Sequence, residues 1–550
     1  MKVCIFGAGG IIGQHLALCV PGNVEPLFFR RHSDPFFLGA DLNDTVALLE
    51  VLNHHKPDVI VNLAGESSTD EVEREPQKYS WVNSSVPAQL VHWCDENGAH
   101  YVHISTQAVF SGDDPPYKPE DETHPVNEYG KQKELAETLV KSGGNWTIIR
   151  PTFVLGVRPI PAIGRRNPVE QMLEGQKEQT CDRWFTTLYA RDAAEFIWAS
   201  VNSTDDLRAS NALSVPSIPI HFSSSTRVSR YDIAKDLGTD AEPVPHDNFP
   251  VLAPAPRPVD TSYDETTSLF NNTYKGTISN CLKDYVSRES LDVRQRAKEI
   301  ALFLRKTERE CLEKLQQGFG VLHAAVRDDF NISLHPTGNQ FSSLVRVFSD
   351  PDRRLLQWYR STESYIWELS AYHCDPGFNY SGMCKGIVDR LKTENCSRVL
   401  CLGDGIGDLS MALSKIMPAY YNDLSESRTA AFAKFRFWMY GVGNVISDHQ
   451  SDGWEPPDLW SNHFGAIASL DFLEHVTDVE SWVREIYKCL KPGGLFCAQN
   501  AFNMGSGPQG SIPMHLSRND HWEKDWDPFL ASLGFLQESS NWYRKPNFIR

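Results

Sequence analysis

Two glycine-rich loops of different kinds stand far apart in this chain, and each closes a short apolar run. The first is Gly7-Ala8-Gly9-Gly10-Ile11-Ile12-Gly13, directly after Lys2-Val3-Cys4-Ile5-Phe6. The second is Gly403-Asp404-Gly405-Ile406-Gly407, directly after Arg398-Val399-Leu400-Cys401-Leu402. A strand that ends in glycines and runs into a helix lets the backbone approach a phosphate or nucleoside, because the helix N-terminus offers free N–H groups and the positive end of its dipole. Two such units need two sheets. The fold class expected is therefore α/β, with two Rossmann-like doubly wound sheets joined by a helical connector. The expected divisions are 1–270 for the first nucleotide-binding domain, 271–345 for the connector and 346–550 for the second domain.

The 550 residues exceed what one hydrophobic core organises, and about three domains is the soft expectation at ~150 residues each. A hydrophobic share of 41 % with 23 % charged residues is that of an ordinary soluble protein. No apolar run approaches the ~20 residues of a membrane helix. Met1 and Lys2 lead straight into the first apolar run, so no signal peptide is expected and the cytoplasm is the expected compartment. The 12 cysteines show no CxxC pair, which favours reduced thiols over disulfides or zinc, and no metal site is expected. A formal net charge of −18 argues against nucleic acid as a partner, since phosphate-backbone binding needs clustered Lys and Arg. It leaves room for anionic small molecules held by a few local arginines.

In the first half, apolar runs at 3–6, 26–29, 59–62, 101–105 and 147–150 alternate with helical stretches, the rhythm of a parallel βαβ sheet. Gly7, Gly10 and Gly13 stand where a dinucleotide pyrophosphate meets a helix N-terminus. The second run ends in Phe29-Arg30-Arg31-His32, with no acid to receive a ribose 2′-hydroxyl. Arg30 and Arg31 suit the 2′-phosphate of NADP instead. Ser105-Thr106-Gln107 and the later Tyr129-Gly130-Lys131-Gln132-Lys133 suggest acid–base chemistry. The i, i+4 spacing puts Tyr129 and Lys133 on one helix face. An ammonium there is expected to draw the phenol's pKa down toward working pH, and Thr106 to steady the same reacting oxygen.

These segments resemble the extended short-chain dehydrogenase/reductase family, and within it the dTDP-4-dehydrorhamnose reductase type, over residues 1 to about 270. The resemblance rests on Asn62-Leu63-Ala64-Gly65, Val82-Asn83, Ser105 through Gly112, Pro116-Tyr117, Glu128 through Glu137, Arg150-Pro151 and Ala255 through Asp260. It implies Thr106, Tyr129 and Lys133 as the catalytic triad, with Asp41, Leu42 and Ala64 beside the cofactor NADP(H). Gln107 stands where the reductases usually carry Asp. A similar relative, the β subunit of methionine adenosyltransferase, is regulatory and binds NADP, so a binding-only role is the alternative for this half.

Between the halves, residues 290–325 have a helical apolar period, and aromatics cluster at Trp358-Tyr359, Tyr365-Ile366-Trp367 and Tyr372. They are read as a connector leading into the next domain's first helices, or as part of an acceptor pocket.

The second glycine loop, Asn422-Asp423-Leu424, the run Phe464 to Val476 and Lys491-Pro492-Gly493-Gly494 are similar in order and spacing to the class I S-adenosylmethionine-dependent methyltransferases. That resemblance implies Gly403, Gly405, Gly407, Asp423 and Asp471 at the cofactor S-adenosyl-L-methionine, with Asp423 on its ribose. Cys401 replaces the family's usual acid before the loop, and Asp404 is expected to compensate. His475 and His515 are the candidate general bases for a hydroxyl acceptor. The expected protein joins an NADPH-dependent reductase of a nucleotide-linked 4-keto-deoxysugar to a sugar methyltransferase. Its expected partners are small molecules (sugar nucleotides or glycans), with a homodimer possible. The rival readings are a methyltransferase with a regulatory NADP-binding front half, and a scaffold with both sites decayed.

Overall fold

A computed structural model describes residues 1–209, 218–248, 255–264, 273–290, 292–334, 357–443, 445–446, 454–500, 502 and 519–547. The chain divides into two compact units, Met1–Arg309 and Glu310–Arg550.

The first unit is built on a seven-stranded sheet. Its strands are β1 (Lys2–Phe6), β2 (Glu25–Arg30), β3 (Leu38–Gly39), β4 (Val59–Asn62), β5 (His100–Ile104), β6 (Trp146–Pro151) and a last strand, Ile220–Phe222. Across the sheet they run β3-β2-β1-β4-β5-β6 and then Ile220–Phe222, every neighbouring pair parallel. Parallel strands are covered on both faces and so read as unbroken apolar runs. Val3, Cys4 and Ile5 are fully buried, as are Val59, Ile60 and Val61. The order reverses between β1 and β4, and the crevice beyond the carboxyl ends of those two strands is where such sheets bind ligands.

The second unit repeats the plan. Its seven strands run Val445–Ile446, Ala419–Asn422, Val399–Leu402, Phe464–Leu470, Leu490–Gln499, Trp542–Arg544 and Leu536–Ser539 across the sheet. The first five are parallel, and Trp542–Arg544 is antiparallel to both of its neighbours. Both sheets are thus the doubly wound α/β sheets expected.

The segment expected as a connector is shared between the units. Helices Tyr274–Ser290 and Val293–Leu304 fall in the first unit. Ile278 and Cys281 enter a core cluster with Leu155, Val157 and Tyr189. The Tyr189 hydroxyl donates to Asp284, and Lys298 Nζ donates to the same carboxylate at 2.6 Å. Arg288 pairs with the buried Glu170 at 2.5 Å. Helix Phe319–Leu334 falls in the second unit, where its His323 is hydrogen-bonded to Glu368. The helical period was readable, but these buried ion pairs attach the helices to particular cores and are invisible to periodicity. No helix among the described residues is long and apolar enough to cross a membrane. None of their His, Cys, Asp and Glu gather in a group able to hold a metal ion.

Candidate functional sites

In the first unit the glycine loop is shaped by contact with the loop after β4. Gly7 has φ +81°, and a Cβ there would stand 2.5 Å from the Ala64 nitrogen. A Cβ on Gly13 would stand 2.5 Å from the Ala8 Cα. Gly10 differs: the nearest atom to its Cβ position is the Gly7 oxygen at 3.5 Å, an ordinary contact. Gly10 precedes helix Ile11–Leu16, whose first turn has no side-chain cap. Its free N–H groups and the space beside Gly10 fit a phosphate.

Arg30 and Arg31 behave differently from each other. The Arg30 side chain lies along Gly9, its Nε 3.8 Å from that residue's Cβ position, and it pairs with Asp34 at 2.7 Å. Arg31 is exposed and reaches Asp41 at 3.1 Å. The Asp41 carboxyl is held below its usual range by the Asn43 backbone N–H and then by Arg31. Leu42 is buried, and its carbonyl accepts the Trp81 indole N–H at 3.1 Å. Ala64 donates its N–H to Asn62 Oδ1 at 3.0 Å.

Thr106 caps the short turn Gln107–Val109, accepting the Ala108 N–H at 3.1 Å. Helix Glu128–Lys141 is capped by Asn127, which accepts the Gly130 N–H at 2.9 Å. A Cβ on Gly130 would collide with the Ala108 carbonyl, so this glycine lets the helix start touch the Thr106 turn. This brings the Thr106 hydroxyl beside the Tyr129 phenol. The three residues expected to act together are therefore brought to the carboxyl edge of β5.

The expected effect of Lys133 on Tyr129 is corrected. Burial pushes the Tyr129 phenol up to about 12, Glu66 adds to this, and Thr106 opposes it; Lys133 is not among the causes. Lys133 turns instead to the Ile104 carbonyl at 2.8 Å and to His103 Nε2 at 3.2 Å. Spacing put the two side chains on one face, but the ammonium is engaged by Ile104 and His103 and burial governs the phenol.

Sequence reasoning missed the groups behind this edge. Glu137 accepts from Ser105 at 2.6 Å and from Arg150 through two bonds of 2.8 and 2.7 Å. Ser105, Glu137 and Arg150 all stood in the segments that carried the resemblance, but their spacing gave no sign that they meet. Arg230 was missed as well. Its Nε donates to Gln179 at 3.2 Å, and among the described residues no carboxylate pairs with it. Burial, reinforced by the charge of Arg257, brings its pKa down to about 10. Arg257 itself pairs with Asp70 at 2.7 Å.

In the second unit all three loop glycines have positive φ: Gly403 +63°, Gly405 +52° and Gly407 +82°. Side chains at Gly403 and Gly407 would run into the rings of Phe472 and Phe437. Asp423 accepts the Gly405 N–H at 2.8 Å and the Leu424 N–H at 2.7 Å.

Asp404, expected to compensate for Cys401, turns inward to the helix that follows the loop. It is buried and caps helix Asp408–Ser414 by accepting the Leu409 and Ser410 N–H groups at 3.2 and 2.7 Å. Burial lifts its pKa to about 7. Cys401 lies in the core cluster with Cys384 and Cys497. Position two of the loop points inward, which spacing alone did not reveal.

Asp471 ends strand Phe464–Leu470 in a left-handed conformation, φ +47°. Burial first, and Glu474 second, raise its carboxyl to about 7, against a hydrogen bond from Tyr372. His475 Nδ1 lies 3.3 Å from the Tyr359 hydroxyl. Tyr359 stacks edge-on with Trp358 and Tyr365 at centroid distances of 5.0 and 5.5 Å. Tyr359 of the middle segment thus meets the candidate base. His515 lies outside the described residues.

The comparisons divide the chain in the same way. Residues 1–287 match the family model described as RmlD substrate binding domain, and residues 400–498 match one described as Methyltransferase domain. A dTDP-4-dehydrorhamnose reductase from Burkholderia thailandensis is 33 % identical over 204 residues, covering 36 % of this chain and 64 % of that protein. A dTDP-4-keto-6-deoxy-D-glucose reductase from Streptomyces niveus is 28 % identical over 255 residues, covering 44 % and 83 %. Methionine adenosyltransferase 2 subunit beta from Bos taurus is 34 % identical over 142 residues, covering 25 % and 42 %. The chain thus spans less than two thirds of the length of the first of these relatives. With more than half of its length under one family model, the chain belongs to the RmlD substrate binding domain family, and it carries a methyltransferase domain behind that part.

Proposed function

We propose that the first unit reduces the keto group of a nucleotide-linked 4-keto-deoxysugar with NADPH, and that the second methylates a sugar hydroxyl from S-adenosylmethionine. The observation that carries the first half is the meeting of Thr106, Tyr129 and Lys133 at one sheet edge, beside a glycine loop with an uncapped helix start. NADPH, when bound, supplies the hydride. Gly7, Gly10 and Gly13 would pass its pyrophosphate, and Arg30 beside Gly9 would meet its 2′-phosphate. A phenol held near 12 is fully protonated at neutral pH and is ready to donate. An alkoxide is more basic than a phenolate, so proton transfer from Tyr129 to the former carbonyl oxygen runs downhill. The Thr106 hydroxyl holds the phenol in place for it. Arg230, half-buried and without a carboxylate partner among the described residues, together with Arg257 suits the diphosphate of a sugar nucleotide.

In the second unit S-adenosylmethionine, when bound, supplies the methyl group. Asp423 would hold its ribose at the Gly403–Gly407 loop. His475, hydrogen-bonded to Tyr359, would take the acceptor's proton as the methyl arrives.

A second reading keeps the methyltransferase and makes the front unit a regulatory NADP-binding module. It is favoured by Gln107 in place of the usual Asp and by the similarity to methionine adenosyltransferase subunit beta. One assay separates them. The full chain is mixed with NADPH and a dTDP-4-keto-6-deoxyhexose, and oxidation is followed beside calorimetric binding of NADPH and NADH. Turnover with tighter NADPH binding is expected. Tight binding without turnover would select the regulatory reading, and equal or tighter NADH binding would remove the role given to Arg30.

A further inference from the structure

Beneath Lys133 runs a chain of buried polar side chains that the chemistry above leaves unused. His103 Nε2 is 3.2 Å from Lys133 Nζ, and on the far side of the ring His103 Nδ1 is 3.3 Å from the Tyr101 hydroxyl. That hydroxyl accepts from Asn62 Nδ2 at 2.9 Å, and Asn62 Oδ1 accepts the Ala64 N–H at 3.0 Å. Ala64 is the residue against which Gly7 packs. His103 and Tyr101 are fully buried, Asn62 is 1 % exposed and Lys133 5 %. The chain therefore links the phosphate-type loop to Lys133 through the interior of the sheet.

We infer that His103 is a positioning residue for Lys133: a neutral ring protonated at Nδ1, whose bare Nε2 is the acceptor that keeps the lysine charged and aimed. While Lys133 is an ammonium, it selects this tautomer. An ammonium has three donors and no acceptor, so the nitrogen facing it must be bare. Burial, with the Lys133 charge adding to it, holds the ring's pKa well below the ordinary histidine range, so the ring is neutral. A neutral ring with a bare Nε2 carries its proton at Nδ1 and donates it to the Tyr101 oxygen.

The same burial lowers the Lys133 pKa to about 8, and Glu137 one turn along opposes this. The Glu137 carboxylate is itself engaged by Ser105, by Arg150 of β6 and by Lys141. From the same helix, Tyr129 is a protonated phenol in this range. Lys133 thus sits close to neutralisation, with two internal acceptors supporting its charge. Without His103 only the Ile104 carbonyl remains, and the proton should leave at lower pH.

The inference rests on the reductase reading only for its catalytic consequence, so its test uses the full chain and two spectroscopic readouts. In protein carrying ¹³C-lysine, the Lys133 Cε signal is identified by difference against Lys133→Met and titrated. His103→Leu should lower its apparent pKa by about one pH unit or more, since a charge-assisted bond is lost. His103→Gln, whose side-chain oxygen can accept, should stay close to wild type. In ¹⁵N-histidine protein, solid-state spectra differenced against His103→Gln should show Nδ1 protonated and Nε2 bare. A wild-type ring protonated at Nε2, or a Lys133 titration unmoved in His103→Leu, overturns the inference. Should His103→Leu fail to fold, the wild-type ¹⁵N spectrum decides alone. Failure of the reductase reading looks different: no NADPH oxidation with a dTDP-4-keto-6-deoxyhexose while both spectra take the expected form.

Discussion

The two nucleotide-type sheets share a strand order around their glycine loops, yet they close those loops by different means. In the first unit, backbone meets backbone: Gly7 lies on the Leu63–Ala64 peptide and Gly13 on Ala8. In the second, side chains do the closing. Phe472 covers Gly403, Phe437 covers Gly407, and the Asp423 carboxylate grips the Gly405 N–H. Their ionisable interiors differ too. The first buries histidines kept neutral, His15 and His221 with pKa about 3 and His103 well below its usual range, beside a lysine brought down to about 8. The second holds two carboxyls raised into the neutral range, Asp404 and Asp471 at about 7. A common topology therefore fixes where a ligand enters, while the residues just behind the loop set the charge it meets.

The largest effect expected from breaking one site alone is at Tyr129. Tyr129→Phe should cut reduction by about 10²–10⁴-fold, the usual worth of one acid–base group, and leave NADPH affinity and methyl transfer unchanged. Steady-state kinetics of both half-reactions check this. A loss of methyl transfer as well would mean that the sites are not independent.

Next come the loops. Gly7→Ala combines a left-handed backbone with a clash against Ala64, and should destabilise the first unit by about 2–5 kcal/mol. Gly10→Ala meets no close atom in the protein and should leave the fold intact, while weakening NADPH where the new methyl crowds the phosphate. Denaturant titrations of both variants test the contrast. Equal destabilisation would show that close packing at Gly7 is not what the loop requires.

Asp423→Ala removes both the grip on Gly405 and the ribose acceptor. S-adenosylhomocysteine affinity should fall by about 30- to 1000-fold, or ~2–4 kcal/mol, with NADPH binding untouched. Calorimetric titration reads both. Wild-type binding no tighter than that of the variant would end the methyltransferase reading.

The smallest effect per group is on pH dependence, and it has opposite signs in the two units. A buried neutral histidine with a folded pKa of about 3 must gain a proton on unfolding below its unfolded value of 6.5. Its contribution is present above 6.5 and is lost as pH falls, at about 1.4 kcal/mol per pH unit for each group. A carboxyl raised from 3.8 to about 7 does the reverse: its contribution is present below 3.8 and is lost as pH rises toward 7. Between pH 7 and 5, scanning calorimetry of the full chain should show the first unit's transition moving down and the second's holding or rising. NADPH and S-adenosylhomocysteine identify the two transitions by the one each raises. Both moving together would break the comparison.

Much of this was legible before any coordinates. The strands β1, β4 and Val399–Leu402 were readable because strands covered on both faces are continuously apolar. Thr106, Tyr129 and Lys133 were readable because a helix spacing and a strand end bring chemistry to one edge. Other features were closed to sequence because they depend on partners distant in the chain. Tyr359 and His475 meet across 116 positions, and Arg150 finds Glu137 on another element. The attachment of helices Tyr274–Ser290 and Val293–Leu304 to the first core depended on Asp284 and Glu170 meeting their cations.

What the sequence determined by itself was the pair of sheets, the loops that end their first strands and the residue types available at each edge. All of these follow from periodicity and local backbone demands. Tertiary structure alone decided the state of those residues. It raised the Tyr129 phenol where a neighbouring lysine promised to lower it, turned Asp404 inward onto a helix end, and set His103 rather than Tyr129 against Lys133. The physical reason is that protonation and hydrogen-bond choice depend on desolvation and on what fills the space around a group. Neither is written in the spacing along the chain.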